Sequence, residues 1–306
     1  MEKFELTILG CGSAKPTLRH NPSSQILNVR DKLFMIDCGE GTQLQLCHNG
    51  LTFTRLNHVF ISHLHGDHWF GLPGLISTMN LYNRTAELHI HSPHGLEEMM
   101  KPIMDYCNYD MSYQVFFHEF DTLEPTRIFE DRTLAVTTIP LKHRVPCCGF
   151  LFREKEGLRH IRREMIDAYE IPIAYINNIK AGADFVLPDG EVISNERLTT
   201  PPSKVHSYAY CSDTVFRPQI AEQVRGVDLL YHEATYAAED DNRAVKHFHS
   251  TTVQAAEIAR LAEVGKLVIG HFSARYTNDQ QLLDEAKAVF PNTVLANENL
   301  RVTIDD

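Results

Sequence analysis

Short runs of β-branched and aromatic residues recur along the chain, and several of them stop at a side chain that can bind a metal or carry a proton. Apolar runs and alternations predict strands at 4–9, 24–29 and 32–36, the last two forming a hairpin around Arg30 and Asp31. Further strands are predicted at 59–62, 88–91, 114–117 and 133–139, then at 207–211, 229–231 and 266–269. Helical spacing predicts helices at 43–48, 72–82 and 95–106 and, later, at 216–224 and 252–264. Strands lead with helices interspersed, and the second half repeats the pattern, which suits an α/β fold of two packed sheets with helices outside. No linker divides the halves, so residues 1–306 read as a single domain. The rhythm breaks at 153–202, an inserted arm punctuated by Pro172, Gly182, Pro188-Asp189-Gly190 and Pro201-Pro202. On a predicted helix at 158–169, Arg159, Arg162 and Arg163 stand three and four residues apart and share a face. That face is either ordinary solvated surface or a patch for a polyanion.

The densest chemistry lies in His63-Leu64-His65-Gly66-Asp67-His68, directly after the predicted strand at 59–62. On an extended stretch His63 and His65 point to one side, and the turn through Gly66 brings Asp67 and His68 toward a second position, so the spacing can load two metal ions. Imidazole and carboxylate ligands suit a borderline ion such as zinc. Other ligand-capable residues sit where strands end: His143 after the strand at 133–139, Asp213 after 207–211, His232 and Glu233 after 229–231, and His271 after 266–269. Taken singly, each has a plain alternative, His143 as a loop histidine and Asp213 as a helix N-cap. Repetition at the ends of at least four strands argues against accident. Asp37, between a strand and a glycine turn, can orient a ligand histidine or accept turn amides. Cys147 and Cys148 open an apolar strand, where packing is the better reading.

Composition narrows the setting. No apolar run is long enough to cross a bilayer, so no membrane span is expected. Seven cysteines without framework spacing, and a start with no basic-then-apolar leader, lead us to expect reduced thiols and a cytoplasmic protein. A formal net charge of −11 argues against a polyanionic partner at long range, leaving any such binding to local cations. Gly10 and Gly12 after the first strand suggest a nucleotide-binding turn, but Lys15 stands where its third glycine would be and no helix follows. A tight turn, with Lys15 and Arg19 facing an anion, fits better.

These segments resemble the metallo-β-lactamase superfamily and, in detail, its ribonuclease Z family of transfer RNA 3′-processing endonucleases. The resemblance rests on Asp37-Cys38-Gly39-Glu40-Gly41-Thr42-Gln43, the cluster from His63 to His68, His143, Ser212-Asp213-Thr214, His232-Glu233-Ala234-Thr235, His249-Ser250-Thr251 and His271-Phe272-Ser273-Ala274-Arg275-Tyr276. The histidine cluster points to the superfamily, and the Glu-Ala-Thr, His-Ser-Thr and Ser-Ala-Arg-Tyr elements narrow it to the nuclease. The resemblance implies an αββα four-layer sandwich and two zinc ions per subunit, a ligand set that manganese or iron would also accept. His63, His65 and His143 would hold one ion and Asp67, His68 and His271 the other, with Asp213 between them. It also implies a homodimer acting on precursor transfer RNA, one subunit's arm holding RNA for the other. Two departures stand out: the arm carries no Gly-Pro tip, and Ser212 replaces the usual glycine before Asp213.

The implied chemistry assigns Asp67 to the proton of the attacking water and His249, oriented by Glu233, to protonation of the leaving 3′ oxygen. The products would be a 3′-hydroxyl on the transfer RNA and a 5′-phosphate on the trailer. His247 competes with His249 for the donor role, and Arg275 either neutralises a phosphate or forms a structural ion pair. The main alternative is a hydrolase of small phosphodiesters or sulfate esters using the same metals. A thioester or lactam hydrolase and a non-catalytic RNA-binding member complete the set.

Overall fold

Two seven-stranded sheets carry the protein in a computed structural model that describes residues 3–107 and 110–304. The first orders its strands Arg301–Thr303, Phe4–Gly10, Ser24–Val29, Lys32–Cys38, Leu56–Phe60, Leu88–Pro93 and Val115–Phe120. The second orders Thr293–Leu295, Lys266–Gly270, Leu229–Glu233, Ser207–Cys211, Cys148–Glu154, Leu134–Pro140 and Arg127–Glu130. The predicted hairpin turns at Arg30 and Asp31, whose φ angles of 49° and 69° give the left-handed pair that a two-residue connection needs. From Lys32–Cys38 to Val115–Phe120, and from Ser207–Cys211 to Thr293–Leu295, neighbouring strands run parallel. Parallel strands are covered on both faces, which explains why they read as continuous apolar runs.

The two inner faces meet through aromatic rings. Phe60 and Phe150 lie 5.6 Å apart edge to face, Phe34 and Phe152 6.4 Å apart, and the Tyr208 hydroxyl donates across to Gln25 Oε1. On the outer face of the first sheet, helices Leu72–Leu81 and Leu96–Cys107 bury Leu72, Leu75, Ile76, Leu96 and Met100. Thr252–Leu261 and Gln280–Val289 do the same for the second sheet through Ala255, Ile258, Ala259 and Leu282. Helix, sheet, sheet, helix is the expected layering.

Two compact units result. One comprises Met1–Phe129, Val136–Phe152 and His206–Asp305, and the other contains Glu130–Ala135 and Arg153–Val205. The smaller has its own core of Ile171, Ile179, Phe185, Ile193 and Leu198. Its predicted helix at 158–169 is corrected: only Arg163–Ala168 is helical, and His160–Ile161 is a strand paired with Thr199–Thr200. The Arg159 and Arg162 amides donate to the Lys180 and Leu198 carbonyls at 3.0 and 2.9 Å, so pairing distant in sequence has captured donors that a helix would have used. Arg159, Arg162 and Arg163 therefore do not share a helical face. Arg159 Nε donates to Thr199 Oγ1 at 2.7 Å, and Arg162 Nε lies 3.4 Å from the Thr199 carbonyl. The helix expected at 216–224 shrinks to Ile220–Gln223, because Pro218 holds Arg217 out of helical geometry. Among the described residues no helix is long and apolar enough to cross a membrane.

Four histidines pack on the inner face of the first sheet away from any carboxylate cluster. His58 and His91 approach to 3.3 Å through Nδ1 and Nε2, His89 and His118 to 3.0 Å, and His91 stacks on Phe60 at 4.5 Å. Burial first, and then His58, His118 and His89, push His91 down to about 2. A histidine depressed in the fold is neutral there and charged when unfolded. Its contribution is complete above its unfolded pKa of about 6.5 and is lost as pH falls toward the folded value. Denaturant titrations at pH 7.5 and pH 5.5 should therefore show a smaller acid loss of stability for His91→Phe than for the wild type, whereas equal losses would remove His91 as the source.

Candidate metal centre

The predicted ligands converge in the larger unit. His63 follows the strand Leu56–Phe60 by three residues, and the short helical turn Gly66–His68 swings Asp67 and His68 back beneath it. That turn packs under the loop after Lys32–Cys38: a Cβ on Gly39 would lie 2.5 Å from the Asp67 carbonyl oxygen, so only glycine permits the approach. His63 Nε2 lies 3.1 Å from His65 Nδ1 and 2.9 Å from Asp213 Oδ2, and His143 Nε2 lies 3.2 Å from His65 Nδ1. In a second group His68 Nε2 and His271 Nε2 stand 3.5 and 3.7 Å from Asp67 Oδ2. Asp213 faces both, with Oδ2 3.2 Å from His68 Nε2 and Oδ1 3.0 Å from His271 Nε2.

These separations fit a divalent cation. Four ligands tetrahedrally placed at about 2.0–2.1 Å from zinc stand roughly 3.3 Å from one another. The clearest sign is what the ligand atoms lack: His68 Nε2 and His271 Nε2 are buried without a hydrogen-bond partner, which is costly unless an ion takes their lone pairs. The far nitrogens fix this orientation. Nδ1 of His68 lies 2.7 Å from Asp37 Oδ2, that of His63 3.1 Å from Ser62 Oγ, that of His143 3.0 Å from the Phe248 carbonyl and that of His271 3.0 Å from Thr235 Oγ1, each placed to donate its proton outward. Four imidazoles thus offer Nε2 lone pairs to one small volume. The clusters can bind a divalent metal.

Electrostatics agrees. Burial holds His63 down at about 4 and keeps His65 and His143 below the usual histidine value, leaving neutral imidazoles ready to ligate. Burial opposes the charge on Asp67 and Asp213, but His68 and His271 hold both below the usual carboxylate range. Beside them, His249 Nδ1 lies 3.0 Å from the buried Glu233 Oε1, and Glu233 Oε2 accepts from Thr235 Oγ1 at 2.6 Å. Burial works against a charged His249, yet Glu233 raises it to about 9.

The remaining expectations divide. Asp213 caps no helix, since Ile220–Gln223 starts seven residues later. Arg275 pairs with Asp240 at 3.1 Å and lies over the Tyr236 ring, the structural alternative rather than a free phosphate ligand. His247 lines the cleft with Nδ1 3.1 Å from Arg144 Nη2, and Arg159, Arg162 and Arg163 belong to the smaller unit. Cys147 and Cys148 are buried packing residues. The sequence reading missed Ser62, the Phe248 carbonyl and the Ala14 amide, which donates to Asp67 Oδ2 at 2.8 Å. No local pattern marks such partners, because two of the three are backbone groups.

Comparison with known proteins sets the family. The family described as "Anti-Pycsar protein Apyc1" matches residues 4–159, and the "Beta-lactamase superfamily domain" matches residues 197–272. Over the whole length, the chain is 61% identical to "Ribonuclease Z" of Bacteroides thetaiotaomicron, covering 100% of this chain and 97% of the relative. It is 51% identical to "Ribonuclease Z" of Porphyromonas gingivalis, covering 99% and 100%. The crystal structure of human tRNase Z, short form, superposes with a TM-score of 0.71 at 25% identity, covering 99% of this chain and 100% of that one. The metallo-β-lactamase fold protein YhfI of Bacillus subtilis, at 18% identity and a TM-score of 0.69, shares the fold. Full-length identity above one half outweighs a family match to the first half alone, and the chain belongs to the ribonuclease Z family, endoribonucleases on the metallo-β-lactamase fold.

Proposed function

We propose that the chain removes the 3′ trailer from precursor transfer RNA, with two divalent cations, zinc in the first instance, held by His63, His65 and His143, by Asp67, His68 and His271, and by Asp213 between them. The observation that carries this reading is the pair of buried, unpartnered Nε2 atoms on His68 and His271, grouped with five other ligand side chains, of which His65, Asp67, His143 and Asp213 line the cleft together with His271. When bound, the cations supply Lewis acidity that makes water nucleophilic near neutral pH and offsets the charge growing on the phosphoryl group. Asp67, fixed by the Ala14 amide, is positioned to take the proton of the attacking water. His249 is the acid: its Nδ1 is tied to Glu233, and it lines the cleft where the leaving 3′ oxygen departs. His247 is less suited, because burial and then Arg144 at 3.1 Å and Lys246 disfavour its charged form, and no carboxylate among the described residues orients it. A 3′-hydroxyl on the transfer RNA and a 5′-phosphate on the trailer follow. The arm, Arg159, Arg162 and Arg163 included, is read as the RNA-holding element of a homodimer.

Single-turnover cleavage of one precursor, with both new ends mapped, tests the reading. Replacing His249 with alanine should slow it by roughly 10²–10⁴-fold with metal content unchanged, and an unaltered rate would take His249 out of the mechanism. Asp37→Asn removes the acceptor that orients His68, so chelator competition should report a metal affinity lower by roughly 10–100-fold; wild-type affinity would make Asp37 a purely structural carboxylate. Changing Arg159, Arg162 and Arg163 together to glutamine should weaken precursor binding and flatten its salt dependence, and an unchanged slope would place RNA recognition elsewhere.

A further inference from the structure

Three cavities adjoin at the metal centre. The central cleft of about 360 Å³ shares Ser13, Ser273 and Ala274 with a neighbour of about 390 Å³ framed by Leu18, Phe272 and Tyr276. It shares His143 and Arg144 with a second neighbour of about 420 Å³ framed by Pro93, Phe120, Leu123 and Leu141. The cavities therefore stand side by side as a trough, with His65, Asp67, His143, Asp213 and His271 lining its middle and apolar residues at either end.

Its cations differ from others nearby. Arg19 is neutralised by Asp279 and Arg275 by Asp240, whereas Lys15, Lys142 and Arg144 have no carboxylate partner among the described residues. Arg144 Nη2 meets only the Lys246 carbonyl at 3.2 Å and His247 Nδ1 at 3.1 Å, and its guanidinium lies 5.9 Å from the Phe248 ring. Each is carried by backbone anchored to the centre. Lys15 follows Ala14, which turns left-handed at φ 64° while its amide holds Asp67; Lys142 and Arg144 flank His143. In a chain of net charge −11, unneutralised cations at the rim of a metal cleft are where a polyanion can approach.

We propose that the RNA strand threads this trough, with Lys15 gripping the phosphate on one side of the scissile linkage and Lys142 with Arg144 gripping the phosphate on the other, while the flanking bases enter the apolar pockets. The proposal rests on the endoribonuclease reading and assigns its strand path. Lys15 and Arg144 are positioning residues: they hold the neighbours of the reacting phosphate, not the phosphate itself.

The test crosses protein charge with RNA charge. Lys15→Gln and the double variant Lys142→Gln, Arg144→Gln are assayed on an all-phosphate precursor and on precursors carrying one neutral methylphosphonate, either just 5′ or just 3′ of the scissile linkage. On the all-phosphate RNA each variant should lose about fivefold to tenfold in kcat/KM, mainly through KM, and the slope of log affinity against log salt should fall by about 0.7 per lost contact. Each loss should vanish on the one methylphosphonate RNA that already lacks the gripped charge, and Lys15→Arg should restore most of the first. Equal losses on every RNA, or no loss on any, overturn the proposal. Should the wild type cut no precursor at all, the endoribonuclease reading fails and the strand path with it. Melting temperature and metal content, measured on the same samples, separate a misfolded variant from one that has lost a contact.

Discussion

The buried carboxylate of Asp37 holds the centre together. It is fully enclosed, and a carboxylate removed from water survives only if its lone pairs are occupied. Four donors reach it: Oδ1 accepts the Ser62 amide at 2.8 Å, while Oδ2 accepts the Ser62 hydroxyl at 2.9 Å and the Tyr210 hydroxyl at 2.6 Å and faces His68 Nδ1 at 2.7 Å. One anion thereby ties a strand of the first sheet to the histidine loop and to Ser207–Cys211 of the second sheet. It also sets the tautomer that aims His68 inward. Register between the sheets and direction of a ligand are the same interaction seen from two sides.

Geometry at the strand ends completes the convergence. Asp37, Asp213 and His271 adopt φ angles of 55°, 59° and 61°, left-handed values that are uncommon outside glycine. Asp37 is the extra residue where the pairing of Ser24–Val29 with Lys32–Cys38 slips, a bulge that turns its side chain inward. His271 immediately follows Lys266–Gly270, and Asp213 stands two residues past Ser207–Cys211. A regular strand would carry these side chains past the cleft. The backbone strain of roughly 1–3 kcal/mol at each is sustained by the packed sheets beneath.

Much of this was legible in the sequence, for identifiable reasons. Parallel strands buried on both faces announce themselves as apolar runs, so the order of elements and the two-sheet architecture followed directly. Ligand residues were legible because they fall where those runs stop. What failed was local periodicity without burial behind it: Arg159, Arg162 and Arg163 have helical spacing, but pairing with Thr199–Thr200 decided the backbone. Orienting partners were illegible in principle where the acceptor is a carbonyl, as at Phe248, or where Ser62 acts by relaying between His63 and Asp37.

The two histidine assemblies show what separates a ligand from a packed ring. His58, His89, His91 and His118 also bring nitrogens within 3.3 Å of one another, yet each close pair consists of two imidazoles and can share a single proton along the contact. In the centre, Asp37, Ser62, Thr235 and the Phe248 carbonyl face the outer Nδ1 atoms, so the Nε2 atoms of four histidines are turned inward. Asp67 and Asp213 bring carboxylate oxygens to the same Nε2 atoms. Imidazole nitrogens and carboxylates turned to one point from outer anchors suit a cation, which makes those outer contacts, more than the number of histidines, the mark of a metal centre.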